Sequence, residues 1–171
     1  QLPDMGDVVL DTAGWMDPSS PDFLKEQQGK IDRAGLGEFF RYRGVLDRKR
    51  KINFLQKLTI FSVPSIYREP KGIYVLEALA SGVPVVQPNH GSFPELLRRT
   101  GGGVLAHPKD TSNLVQEMAR LLRSPSQVEL LGRKGHRSVH QHFTAQKMAE
   151  KTLQLYRHIK DEHDRFVDCR L

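Results

Sequence analysis

Apolar residues along the chain fall into two patterns, short continuous runs and stripes at helical spacing. Asp7-Val8-Val9-Leu10-Asp11 predicts a short buried strand, followed by a loop holding Gly14, Asp17, Pro18, Ser19 and Ser20. Pro21 to Ala34 predicts a helix, with Pro21 near the first turn, where a missing N–H costs nothing. Gly35 and Gly37 end it. Phe39 to Gly44 predicts a second strand, and Asp47 an N-cap for a helix reaching about Lys57. The run Leu58 to Pro64 predicts a third strand, apolar enough to be buried on both faces. Gly72 to Ala80 predicts a helix closed by Ser81-Gly82, then a strand at Val83 to Val86 and a short helix at Pro94 to Arg99. Gly101-Gly102-Gly103 turns into a last strand at Val104-Leu105.

Three helices are predicted to finish the chain. Asp110 or Thr111 caps the first, whose face carries Leu114, Val115, Met118, Leu121 and Leu122. Ser124-Pro125 starts the second, which runs to about His142. Thr144 caps the third, with a stripe of Ala145, Met148, Ala149, Thr152, Leu155, Tyr156 and Ile159. Residues 161–171 are expected to be a polar tail, leaving 1–160 as one domain.

Strands separated by helices, with nearly continuous apolar cores, predict an α/β fold, a Rossmann-like parallel sheet covered by helices on both faces. Such sheets bind ligands beyond the carboxyl ends of their strands, so the segments to search are 12–20, 45–47, 64–72, 87–93 and 106–110.

Composition narrows the classes. A chain of 171 residues with 38% hydrophobic and 27% charged residues fits one globular domain and excludes disorder. The single cysteine, Cys169, excludes an internal disulfide framework and a cysteine-based zinc cluster. No apolar run approaches the ~20 residues needed to span a bilayer. The first residues, Gln1-Leu2-Pro3-Asp4, lack the form of a signal peptide, and the expected setting is cytoplasmic. The absent initiator Met agrees with a fragment of a longer protein. Twenty-six Lys and Arg against 20 Asp and Glu give a net charge of +6. That charge is spread out. Its densest run, Arg48 to Lys51, opens a helix whose other face carries Ile52, Leu55 and Leu58, and reads as a solvated face that leaves room for peripheral contact with anionic lipid.

Several chemistries are missing. No G-x-G-x-x-G opens a helix, and the Gly101 to Gly103 run lacks the Lys-Ser/Thr of a phosphate-binding loop. His136 and His140 stand at i, i+4 without an adjacent Glu or a third ligand, so they read as a surface pair. Ser62 and Ser65 lack a nucleophile elbow. His90 sits in a loop at a sheet end.

The informative stretch is Glu69-Pro70-Lys71-Gly72-Ile73-Tyr74-Val75-Leu76-Glu77. Two carboxylates lie eight residues apart across a strand-to-helix turn. Between them a helix N-terminus presents free N–H groups near Lys71, Gly72, Ile73 and Tyr74, a natural anion site. Gly72 lets a ligand approach the backbone. Carboxylates accept hydrogen bonds from hydroxyls, so a phosphorylated sugar suits the arrangement.

Phe61-Ser62-Val63-Pro64-Ser65, Glu69-Pro70-Lys71-Gly72, Glu77-Ala78, Ala80 and Gly82-Val83-Pro84-Val85-Val86, at these spacings, closely resemble the C-terminal half of family 4, group 1 retaining glycosyltransferases of the GT-B fold. The resemblance continues through Gly91-Ser92-Phe93-Pro94-Glu95-Leu96, Gly101 to Gly103 and Phe143-Thr144, and reaches back to Gly44-Val45-Leu46. It implies a nucleotide-sugar substrate, most often a UDP-sugar, glycosyl transfer with retention, and no cofactor or required metal. It makes Glu77 similar to the glutamate that holds the ribose hydroxyls, and Glu69, the catalytic candidate, similar to the one facing the donor sugar. The backbone at Lys71, Gly72, Ile73 and Tyr74 matches the segment meeting the sugar and phosphates. Arg43, Gly44 and Val45 match the place where the base packs.

The chain departs from the family at Lys71-Gly72-Ile73, where Phe-Gly-x is usual. The family's first strand-helix unit with its Arg/Lys diphosphate clamp is not found, so the strand near Val8 corresponds to the second of the family's domain. The N-terminal acceptor domain is also missing, and the acceptor stays unknown. The fragment alone is therefore expected to be inactive. The alternatives are a non-catalytic nucleotide-binding or regulatory module of GT-B type, and a basic anionic-lipid-docking domain. A nucleic-acid partner is not expected.

Overall fold

A computed structural model describes residues 8–168, with side chains described as far as 161. Asp7 and Cys169 lie outside the described residues. The chain divides into two units, residues 1–53 and 54–171.

In the first unit, β1 (Leu10–Thr12) pairs in parallel with β2 (Phe40–Tyr42), joining Leu10 to Phe40, Asp11 to Arg41 and Thr12 to Tyr42. The crossover is α1 (Phe23–Arg33), which ends at Gly35 with φ +71°. Both strands are shorter than the apolar runs predict. None of the described residues of this unit is fully buried, so it lacks the packed faces that would extend them. Helix α2 (Arg48–Leu55) follows, with Asp47 Oδ1 accepting from the Arg50 amide at 2.8 Å, as expected of its cap.

The second unit holds the core. Strand β3 (Val85–Pro88) pairs in parallel with β4 (Gly103–Ala106) and, on its other side, meets Phe61 in a single parallel bridge. Around these lie α3 (Ile73–Ala80), α4 (Phe93–Thr100), α5 (Thr111–Leu122), α6 (Pro125–His142) and α7 (Ala145–Asp168). Side chains alternate across a strand, so the adjacent Val85 and Val86 enter different clusters. Val85 packs with Val75, Leu79, Phe93, Leu97 and Val139, and Val86 with Ala106 and Leu121. Both are fully buried, which is why the strand reads as an unbroken apolar run. Helix α6 comes close through Gly132, where a Cβ would lie 2.2 Å from the Gly82 carbonyl oxygen.

The expected strand at Leu58 to Pro64 is a correction: only Phe61 joins the ladder. Its amide donates to the Pro84 carbonyl and its carbonyl accepts from the Val86 amide, both at 3.0 Å. Beyond it, the buried Gln87 side chain takes the place of a neighbouring strand. With its amide oriented to satisfy both groups, the nitrogen donates to the Val63 carbonyl at 2.9 Å and the oxygen accepts from the Val63 amide at 3.3 Å. Pro64 then ends the pairing, having no N–H to give.

Two further expectations change. The tail expected from residue 161 continues α7 through Asp168. The stripe on α7 is exposed rather than packed, at 69% for Met148 and 64% for Tyr156. No described helix is long and apolar enough to cross a membrane.

Candidate functional site

The carboxyl ends of Phe61, β3 and β4 lead into loops 62–72, 89–92 and 107–110. Main-chain bonds tie these loops together: the Ser92 amide donates to the Glu69 carbonyl at 2.8 Å, and the Asn89 amide to the Ala106 carbonyl at 2.8 Å. The first of these loops enters α3.

Gly72 is the N-cap of α3, with φ +63° and ψ +41°. A Cβ there would lie 2.9 Å from Leu96 Cδ1, so the start of α3 rests directly on α4. A glycine N-cap has no side chain with which to satisfy the first amides. The carboxylate of Glu69, three residues upstream, instead engages the two amides that precede the helix. Its Oε1 accepts from the amides of Lys71 and Gly72, each at 3.0 Å. Its Oε2 faces the hydroxyls of Tyr74 at 3.3 Å and Tyr67 at 3.4 Å. The amide of Gly72, then that of Lys71, holds this carboxyl below its usual range against a smaller opposing effect of desolvation, and the two hydroxyls add to the lowering.

Tyr74 is fixed between aromatic neighbours, its ring centroid 6.3 Å from those of both Phe61 and Phe93. Burial pushes its hydroxyl up to about 12, and the charge of Glu69 adds to the shift. Tyr67, by contrast, is 60% exposed.

The loop after β3 braces Glu69 from behind. Gly91, at φ +60°, lies so close that a Cβ would meet the Glu69 backbone nitrogen at 2.7 Å. His90 is half-buried rather than free in solvent. Its Nε2 lies 3.0 Å from the Ser65 carbonyl oxygen, which can only accept, so Nε2 carries the donated hydrogen.

The expected free amides are thus corrected in part. Those of Lys71 and Gly72 are engaged by Glu69, while Ile73 and Tyr74 open the helix, where no intrahelical carbonyl is available to their amides. Glu77 lies further along α3, half-buried, and its carbonyl accepts the amide and hydroxyl of Ser81 at 3.1 and 2.9 Å. Glu69, Lys71, Gly72 and Tyr74 are therefore brought together.

Arg43, Gly44 and Val45 lie in the first unit. The Arg43 amide continues the ladder to the Thr12 carbonyl at 2.8 Å, and its guanidinium Nε meets Asp11 Oδ1 at 2.9 Å. Gly44 turns with φ +67° and accepts the Gly14 amide at 3.0 Å. Val45 is 66% exposed. His136 and His140 are exposed, with ring centroids 4.1 Å apart, and among the described residues no group of three or more His, Cys, Asp or Glu is placed to hold a metal ion.

Sequence reasoning missed the hydroxyls of Tyr67 and Tyr74, the brace at Gly91-Ser92 and the clamp at Gln87. Tyrosines two residues before and five after Glu69 were the available signal, though spacing alone does not aim a hydroxyl.

Parallel strand pairs connected through helices, and a helix N-terminus at the strand ends loaded with a carboxylate, agree with half of a GT-B architecture. The chain belongs to the group 1 glycosyl transferases, whose family model matches residues 4–138. It is 28% identical over 151 residues to the MMP alpha-(1->4)-mannosyltransferase of Mycolicibacterium hassiacum, covering 88% of this chain and 35% of that protein. It is 29% identical to the alpha-maltose-1-phosphate synthase of Mycolicibacterium smegmatis, covering 83% and 38%. Among solved structures, sucrose-phosphate synthase from Thermosynechococcus elongatus matches with a TM-score of 0.76 and 27% identity, over 90% of this chain and 39% of that one. HepE of Anabaena, solved with UDP and glucose, shares the fold with a TM-score of 0.76 at 21% identity, over 86% and 41%. The chain thus spans well under half the length of each of these proteins.

Proposed function

We propose that this chain is the donor-binding half of a glycosyltransferase that moves a sugar from a nucleotide sugar to an acceptor with retention at the anomeric carbon. The observation that carries the reading is the carboxylate of Glu69 held over the start of α3 by the amides of Lys71 and Gly72. It places a fixed negative charge beside a helix terminus that favours anions.

In this reading the diphosphate meets the amides of Ile73 and Tyr74, and the developing charge on the leaving nucleotide is stabilised by dipoles already oriented before reaction. Glu69 faces the sugar, where its charge stabilises the positive character of a glycosyl transition state. Glu77 holds the ribose hydroxyls. UDP is the proposed nucleotide, supported by family membership and by a fold relative solved with UDP-glucose. The acceptor is bound by the part of the protein outside this chain, so this chain alone is expected to be inactive. No metal is assigned a role.

Titration with UDP and with UDP-glucose, followed by amide chemical shifts, tests the reading. Shifts at residues 69–77 are expected. If neither ligand perturbs those amides, the donor-site assignment fails.

A further inference from the structure

An ionised carboxylate offers about four lone-pair positions. In Glu69 four donors of the chain itself already face them: the amides of Lys71 and Gly72 at Oε1, and the hydroxyls of Tyr74 and Tyr67 at Oε2. A donor-sugar hydroxyl aimed at Oε2 therefore meets the hydroxyls of Tyr74 and Tyr67 already facing that oxygen.

The four are not equally held. The two amides belong to the backbone at the start of α3 and sit at an ordinary 3.0 Å. Tyr74 is packed between Phe61 and Phe93. Tyr67 lies in the loop, 60% exposed, beside Ile66 at 79%, so solvent rather than packing surrounds it. At 3.4 Å its contact is also the longest of the four, well beyond the ~2.7–2.8 Å usual between two oxygens. An incoming hydroxyl at that usual distance makes the better bond.

We propose that Tyr67 stands in for a donor-sugar hydroxyl at Glu69 Oε2 and is displaced when the sugar binds, while Tyr74 stays and keeps the carboxylate oriented. The proposal rests on the donor-site reading above. Tyr67 becomes a specificity residue. It sets a threshold that a ligand with a sugar hydroxyl aimed at Oε2 overcomes. A bare nucleoside diphosphate has no sugar hydroxyl to aim there and leaves Tyr67 in place. Because the binding-competent arrangement must first lose the Tyr67 contact, the apparent sugar affinity is reduced by the fraction of molecules in which that contact is closed.

Calorimetric titration of the wild type, Tyr67→Phe and Tyr74→Phe with UDP and with UDP-glucose tests this. Tyr67→Phe is expected to tighten UDP-glucose binding about threefold to tenfold, the range set by one net hydrogen bond, and to leave UDP unchanged. Tyr74→Phe is expected to give no such tightening. In wild type carrying 13C at the tyrosine ζ position, the Tyr67 signal should move with UDP-glucose and stay put with UDP, which needs no substitution. Unchanged or weaker UDP-glucose binding by Tyr67→Phe, equal tightening of both ligands, or a Tyr67 signal blind to UDP-glucose overturns the proposal alone. A wild type that binds neither ligand overturns the donor-site reading, and this proposal with it.

Discussion

Glu69 Oε1 accepts the Gly72 amide at 3.0 Å, so a loop carboxylate takes up the main-chain N–H at the N-cap of α3. The same bond ties the proposed sugar-facing group to the element that would meet the phosphates. Stability and the proposed function therefore meet at one side chain.

Glu69→Ala is expected to lower the urea midpoint near neutral pH. The folded carboxyl titrates below its ordinary 4.5 because Gly72 and Lys71 donate to its charged form. Its stabilising effect is thus present above 4.5 and is lost as pH falls through the folded value. Urea melts at about pH 7 and about pH 3 should show the gap between wild type and variant closing in acid. A gap independent of pH would refute that role of the carboxylate.

Gly72→Ala strains a left-handed backbone and drives a Cβ to 2.9 Å from Leu96 Cδ1. The conformation alone costs about 1–2 kcal/mol in an L-residue. Crowding against α4 adds to that. Denaturant titration should show a loss of at least that size, with UDP-induced shifts at residues 69–77 weakened at the same time.

Gln87→Leu keeps the volume but leaves the Val63 amide without the partner it has at 3.3 Å, while the Val63 carbonyl loses the Gln87 nitrogen and keeps the Ser65 amide at 2.8 Å. The expected loss is about 1–3 kcal/mol by denaturant melt. Hydrogen exchange should quicken at Val63, since its amide is held by that side chain rather than by a strand. Exchange as slow as in wild type would argue against the clamp.

In the proposed glycosyltransferase the two glutamates should separate in the kinetics. Glu77→Ala is expected to raise KM for the nucleotide sugar, and Glu69→Ala to lower kcat more, by about a hundredfold if the charge acts in the transition state. Equal and negligible effects would remove both assignments.

The helices around the core were legible because each carries a local signal. Asp110 accepts the Asn113 amide at 2.9 Å, and Thr144 Oγ1 the Lys147 amide at 3.1 Å, as their positions before apolar stripes predict. The run at Leu58 to Pro64 misled because an unbroken apolar stretch reports burial, not pairing. Only the fold reveals that Phe61 bridges while Gln87 holds Val63. The α7 stripe misled in the opposite sense: a helical period is visible in sequence, but what it packs against is not.

By itself the sequence determined which groups are near one another along the chain. Glu69, Gly72 and Glu77 fall across one strand-to-helix turn, and their spacing with the motifs around them carried the family resemblance. What the tertiary structure decided is which of those groups is already engaged. The left-handed start of α3, the Gly91-Ser92 brace and the aromatic packing of Tyr74 turn two amides and two hydroxyls onto one carboxylate. Hydrogen bonds depend on direction and distance within tenths of an ångström, and residue order along a chain specifies neither.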